Sequence, residues 1–267
     1  MPPPRPPVPT PSPAVVLVHG LRTSSRIWDG QVRHLRAAGC RAVAVDLPAH
    51  GSRQGEDFTL AGALATIDDA VATFPTGSPV VLVGLSLGGH VCLAYAADPG
   101  RATLNGAQVA AVVAAACTAS PRGKPVLAYR ALAAATVSLF SRLHRPRAGS
   151  PVTGPPRVSD DVGHPPGTGP GWEVVTAALG EIAGRSTLRD VAAIRSPIWF
   201  VNGARDIMRL EETRHLARAR DGHLVLVPRA GHDVNTDAPR AFDAVLDTVL
   251  TDLQDRAAHG HGARLDP

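Results

Sequence analysis

The sequence is short of cysteine, of aromatic side chains and of long apolar runs, and each shortage excludes something. Its 267 residues hold three cysteines, Cys40, Cys92 and Cys117. They are odd in number, far apart and without metal-ligand spacing, which excludes a disulfide scaffold and a cysteine metal site. They read as reduced core residues of a cytoplasmic protein. Aromatic residues make up 4% of the chain, so the core has to be built from small aliphatic side chains. No unbroken apolar stretch reaches the ~18 residues that span a bilayer. The opening MPPPRPPVPTPSP is too rich in proline for a secretory apolar segment. The formal net charge is +4, but there is no dense basic run and no nucleic-acid-binding motif, so a nucleic-acid partner is not expected. Internal repeats are also lacking.

What is present is an α/β pattern in a chain long enough to bury a large core. After a tail over 1–13 that is expected to be disordered, AVVLVHG (14–20) reads as a strand without polar alternation. Such a strand belongs in a parallel sheet covered on both faces. Helical spacing over 26–39 ends at a glycine able to cap it. RAVAVDLP (41–48) is strand-like, 58–74 helical, PVVLVG (79–84) a strand, and the stretch after Ser86 a helix. Residues 107–117 read as a strand, with a helix as the competing reading for so much alanine.

The alternation then breaks. Over 118–185 the pattern predicts an apolar helix (Pro125 to Leu143), a mobile loop over 146–171 rich in proline and glycine, and a second helix over 171–184. It resumes with a strand at 196–203, a helix over 209–220, a strand at 223–228 and a last helix from Asp237 to Ala257, beyond which the end is expected to fray. Alternation with short links implies right-handed crossovers and one α/β domain carrying a mostly helical insertion. The expected boundaries are a core of 14–117 and 186–257, a cap over 118–185, and tails over 1–13 and 258–267.

Ligands of doubly wound sheets bind beyond the carboxyl ends of the strands. The polar residues expected there are His19, Asp46, Ser86, Asp206 and His232. Gly84-Leu85-Ser86-Leu87-Gly88 matches G-x-S-x-G between a strand and a helix, the setting of a nucleophile elbow. A turn that tight leaves no room for side chains at 84 and 88 and lifts the Ser86 hydroxyl to a helix N-terminus, where negative charge is favoured. Serine needs a base. The chain has 11 histidines, so residue type selects nothing, but only His232 follows the last strand in a loop able to reach the sheet's carboxyl edge. The imidazole in turn needs a carboxylate. Asp206, in NGARD after the 196–203 strand, completes the order Ser, Asp, His. Asp233 and Asp237 lie too near His232 in sequence to orient it comfortably. A developing oxyanion needs donors, for which the backbone N–H groups of Leu21 and Leu87 are suited. His19 is expected to brace its loop.

These blocks together resemble the α/β-hydrolase-fold serine hydrolases. HGLRTSSRIWDG (19–30) is similar to the family's HG-plus-tryptophan segment and DLPAHGSR (46–53) to its D-x-x-x-H-G loop. GLSLGG matches the elbow, NGARD the acid and AGH the base, all in the family's order over residues 14 to about 256. The resemblance implies that Asp46 and His50 shape a loop beside the site and that 118–185 occupies the place of the cap. It also implies a mostly parallel sheet flanked by helices. About six strands are expected, without the N-terminal hairpin often found in the family. Leu85 departs from the histidine or tryptophan many relatives carry.

The activity this implies is cleavage of a carboxylic ester, thioester or lactone of a small apolar substrate through an acyl-enzyme on Ser86. No metal or organic cofactor is called for. Serine at 86 argues against the aspartate-nucleophile members of the family. A carbon–carbon bond hydrolase or an acyltransferase could use the same three residues. A non-catalytic small-molecule binding protein on this fold is the alternative of another class. Within the cap, Val126, Leu127, Leu132, Val137, Leu139, Phe140 and Trp172 could pack internally or line an apolar pocket. The 125–143 helix lacks the charged face of an interfacial helix, so membrane docking is not expected. The oligomeric state is not legible.

Overall fold

A computed structural model describes residues 13–103, 106, 109–119, 172–185 and 187–262. Six strands form one sheet: β1 (Ala14–Val18), β2 (Arg41–Val45), β3 (Val80–Leu85), β4 (Val109–Ala115), β5 (Ile198–Gly203) and β6 (Gly222–Val227). Their order is β2-β1-β3-β4-β5-β6, and every pair is parallel. The expected parallel sheet of six strands is therefore present. The helices are α1 (Asp29–Ala37), α2 (Leu60–Ala72), α3 (Leu87–Ala96), α4 (Trp172–Ala183), α5 (Thr187–Ala193), α6 (Glu212–Arg218), α7 (Val234–Asp237) and α8 (Pro239–Gly262).

The unbroken apolar strands follow from burial on both faces. Along β1, Ala14, Val16 and Val18 join one buried cluster, while Val15 and Leu17 join the other. The two-residue period of a strand thus feeds two layers at once. One layer packs under α2, α3 and α4 around Ile67, Leu93, Tyr95 and Ile182. The other packs under α1 and α8, where Trp28 and Phe242 sit with ring centroids 5.6 Å apart. Few aromatics suffice because alanine and valine let helices and sheet approach closely. Helix α2 begins at Thr59, whose hydroxyl accepts from Gly62 N at 3.0 Å, and α8 begins at Pro239, whose fixed φ suits a first helical turn.

Several boundaries differ from expectation for local reasons. Helix α6 starts at 212 and not 209, because Asp206 draws the preceding segment into turns and accepts from Met208 N at 2.8 Å. The last helix does not stop at Ala257: it runs to Gly262, with Arg256 Nε bonded to Asp252 one turn back at 2.7 Å. Two short helices went unforeseen. In α5, Asp190 pairs with Arg185, just before the helix, at 2.8 Å, and α7 is four residues long. Helix α4, expected within the cap, buries Ala178 and Ile182 in the same cluster as α2, and its Glu181 accepts from Leu60 N at 3.1 Å. The 1–12 tail, the 125–143 helix and the 146–171 loop lie outside the described residues. Cys92 and Cys117 are buried and free as expected, whereas Cys40 is only half-buried. Among the described residues no helix is long and apolar enough to cross a membrane.

The sheet's first connection runs outward from β1 to β2, and the later ones run the other way from β3. The switch point therefore falls between β1 and β3, where open α/β sheets bind ligands. The glycines of the elbow make that junction possible. A Cβ on Gly88 would lie 2.2 Å from the carbonyl oxygen of Val18, and one on Gly84 would lie 2.3 Å from that of Gly88. Gly88→Ala is expected to cost about 2 kcal/mol or more, read as a lower midpoint in urea unfolding. Gly30→Ala, in α1 with nothing within 4 Å of the added carbon, is expected to be neutral or to stabilise by up to ~1 kcal/mol. Equal midpoints for the two variants would contradict the contact.

Candidate active site

The site is built on three loops at the carboxyl ends of the strands. The first is the elbow between β3 and α3. Ser86 holds φ 52° and ψ −113°, a left-handed conformation that costs a serine about 1–3 kcal/mol. It is pinned by Ser86 N bonded to Ala115 O at 2.8 Å and by His90 N bonded to Ser86 O at 3.1 Å.

The second loop follows β5 and carries Asp206, whose residue is 4% exposed. One carboxylate oxygen, Oδ1, is occupied by Met208 N, which leaves Oδ2 for the histidine. The third loop follows β6 and carries His232. Its backbone rides against Gly203 at the end of β5, where a Cβ would meet Gly231 O at 2.0 Å. Asp237 clamps the loop from α7, accepting from Gly231 N at 2.6 Å.

These loops bring Ser86, His232 and Asp206 into one chain. His232 Nδ1 lies 2.9 Å from Asp206 Oδ2, and His232 Nε2 lies 2.9 Å from Ser86 Oγ. An ionised carboxylate can only accept, so Nδ1 carries the proton and Nε2 is left to accept from the serine hydroxyl. The His232 side chain is 21% exposed while that of Asp206 is fully covered. Burial pulls the His232 pKa down. The hydrogen bond and charge of Asp206, with smaller contributions from Asp233 and Asp237, outweigh it and raise the pKa above the ordinary histidine value.

His90, one helical turn after Ser86, is buried with Nδ1 3.3 Å from Thr187 Oγ1. Its pKa falls to about 3, first through burial and then through repulsion from His215 and His232. It is therefore neutral and sets no positive charge behind the imidazole. Neither this histidine nor the Asp237 clamp was foreseen. The clamp is invisible without the turn that carries Asp237 back to Gly231, and His90 is one of many histidines with no marking motif.

The neighbouring loops are braced as expected. Leu47 N donates to His19 Nε2 at 3.0 Å, so His19 Nδ1 donates to Gly20 O at 2.7 Å and ties the loop after β1 to the loop after β2. Asp46 accepts from Ser25 N at 2.7 Å and from Ser52 N and Oγ, both at 2.9 Å. Burial pushes its pKa up, but those hydrogen bonds hold it below the usual value. His50 Nδ1 donates to Pro48 O at 2.9 Å, and the rings of His19 and His50 lie 5.0 Å apart. Gly20 runs beside the elbow, since a Cβ there would stand 3.4 Å from Ser86 Cβ. Leu87 N belongs to the first residue of α3, where no intrahelical acceptor is available. Among the described residues no cluster of histidine, cysteine and carboxylate side chains has the form of a metal site.

Residues 15–245 match the model of the "Alpha/beta hydrolase family". "Probable esterase PIR7A" of Oryza sativa subsp. indica is 41% identical over 106 residues, which cover 38% of this chain and 38% of that protein. The match thus spans well under half of the curated relative's length. Among solved structures, MenH from S. aureus superposes with a TM-score of 0.67 at 14% identity, covering 91% of this chain and 95% of that one. A thermophilic esterase from Thermogutta terrifontis gives 0.66 at 22% identity, covering 90% of each chain. With the family model spanning nearly the whole sheet and both structures sharing its fold, the chain belongs to the alpha/beta hydrolase family.

Proposed function

We propose that the protein is a serine hydrolase that cleaves a carboxylic ester of a small apolar substrate. The unbroken Asp206–His232–Ser86 hydrogen-bond chain carries this reading. In the proposed reaction His232 Nε2 takes the hydroxyl proton as Ser86 Oγ bonds to the substrate carbonyl carbon. The N–H groups of Leu21 and Leu87 receive the developing oxyanion. His232 then passes the proton to the departing alcohol oxygen as the ester C–O bond breaks, leaving an acyl group on Ser86. Water adds to that acyl group, His232 accepts its proton, and the carboxylic acid leaves as Ser86 recovers its hydrogen. Asp206 holds the imidazole tautomer and balances its charge in both halves. Thioesters and lactones present the same electrophilic carbonyl and would pass through the same acyl-enzyme.

Ser86→Ala or His232→Ala is expected to lower turnover of p-nitrophenyl esters roughly 10⁴-fold or more with an unchanged circular dichroism spectrum, because the three residues act as a unit. Asp206→Asn should lose somewhat less; wild-type turnover in that variant would remove the acid from the scheme. A fluorophosphonate should label the wild type and leave Ser86→Ala unlabelled. Well-folded wild-type protein that takes no label would point instead to a binding protein on this fold.

The pH dependence has a defined sign. The base works in its neutral form, and the carboxylates around His232 raise its pKa, so protonation silences the enzyme at a higher pH than for a free imidazole. The ascending limb of kcat/KM should therefore have its midpoint above ~6.5 and move down in Asp237→Asn. A limb below that value would contradict the electrostatic account.

A further inference from the structure

Strand β5, IWFVNG, is apolar until its last two residues, and Asn202 there is fully buried. An amide is a poor strand former and costs free energy to bury unless it is hydrogen-bonded. Asn202 makes two such bonds with one nitrogen. Nδ2 donates to Thr118 Oγ1 at 3.1 Å, beyond the end of β4, and to Glu212 Oε2 at 3.0 Å, on the first residue of α6. An ionised carboxylate only accepts, so the orientation of the amide is fixed.

Residues 202 and 212 stand at the two feet of the loop that carries Asp206, so their bond closes that loop at its base. The other oxygen of Glu212 reaches into the loop and accepts from Arg209 Nη1 at 2.8 Å. Backbone bonds hold the loop from both sides. Ala204 N and Arg205 N donate to Val227 O and Ala230 O, both at 2.9 Å, and Glu211 N donates to Thr118 O at 3.0 Å. Thr118 thus takes one bond from each end of the loop, from Asn202 Nδ2 at its hydroxyl and from Glu211 N at its carbonyl. The Asn202 amide joins β5, the segment after β4 and the helix after the loop.

We propose that Asn202 is a positioning residue for Asp206: with Glu212 it clasps the loop so that Oδ2 of the acid stays within hydrogen-bond reach of His232 Nδ1. Its role rests on the serine-hydrolase reading, in which Asp206 steadies the imidazole. The side chain of Asn202 bonds to Thr118 and Glu212 and not to Ser86, Asp206 or His232, so it acts through the loop. A displacement of about 1 Å at a positioned group can cost roughly 10²-fold in rate, which is why the feet of this loop matter to the chemistry at its tip.

Nuclear magnetic resonance of protein carrying ¹³C-labelled histidine, followed across pH, reads the contact between acid and base without any substrate. The His232 signal is identified by its loss in His232→Ala. Burial lowers its pKa, and the bond and charge of Asp206 outweigh that. Asn202→Ala should therefore move the pKa down, as Asp206→Asn does, while Asp233 and Asp237 stay in place. In the same variant kcat for p-nitrophenyl esters should fall about tenfold or more with KM unchanged. Glu212→Ala removes the same bond from a partly exposed position, where folding is less at risk, and should move both readouts the same way. Asn202→Asp sets two carboxylates together and should lose at least as much as Asn202→Ala. Adding Glu212→Gln to it exchanges donor and acceptor. The amide at 212 then donates to the carboxylate at 202, and its oxygen accepts from Arg209. That double variant should return kcat to within about threefold of wild type. Wild-type protein that takes no fluorophosphonate label and cleaves no ester would overturn the hydrolase reading alone, since the His232 titration still reads the clasp. An unchanged His232 titration in both Asn202→Ala and Glu212→Ala, or a double variant no better than Asn202→Asp, would overturn the clasp.

Discussion

The approach of α3 to the end of β1 is the contact on which the site depends. The backbone at Gly88 passes so close to the Val18 carbonyl that no side chain fits between them. That closeness lets the chain reverse sharply at Ser86 and hold it at a positive φ. It also draws the loop after β1, with Gly20, alongside the serine. The same steric fact raises the hydroxyl above the sheet. The strain at Ser86 persists because Ala115 and His90 pin its two peptide groups.

Around that point the charges are arranged in one sense. Asp206 is buried, with each carboxylate oxygen given a partner, and its charge is directed through His232 to Ser86. Asp233 and Asp237 strengthen the negative field at the imidazole, and Asp237 also holds the loop backbone. His90, behind the elbow, is kept neutral by burial. A proton arriving on His232 is therefore stabilised from the acid side without a competing cation behind it. In the proposed reaction such a field suits a base that is charged only briefly.

Much of the fold was legible because the strands speak in period and composition. Runs such as VVLVG are too apolar for a sheet with one wet face, and their alternation with helical segments implies parallel order. The alanine-rich 107–117 stretch was the ambiguous one. It forms β4 because it lies between β3 and β5, where two flanking ladders satisfy its backbone. What misled were local effects of tertiary origin. The carboxylate of Asp206 delays the start of α6. The short α5 carries Thr187, whose hydroxyl meets His90 from a distant part of the chain. Helix α4 reads as a lid from its place in the sequence, yet its Ala178 and Ile182 join the cluster that packs under α2 and α3.

For the site, the elbow glycines and the order Ser86, Asp206, His232 were already written in the chain, because a backbone turn of that tightness admits few residue types. The sequence by itself determined the parallel α/β architecture and which side chains could take part. Only the tertiary structure decided that the imidazole stands 2.9 Å from both partners. It also decided which aspartate bonds the ring and which clamps the loop. Those outcomes depend on the angle at which loops 26 and 146 residues apart converge, and no periodicity along the polymer encodes an angle between distant segments.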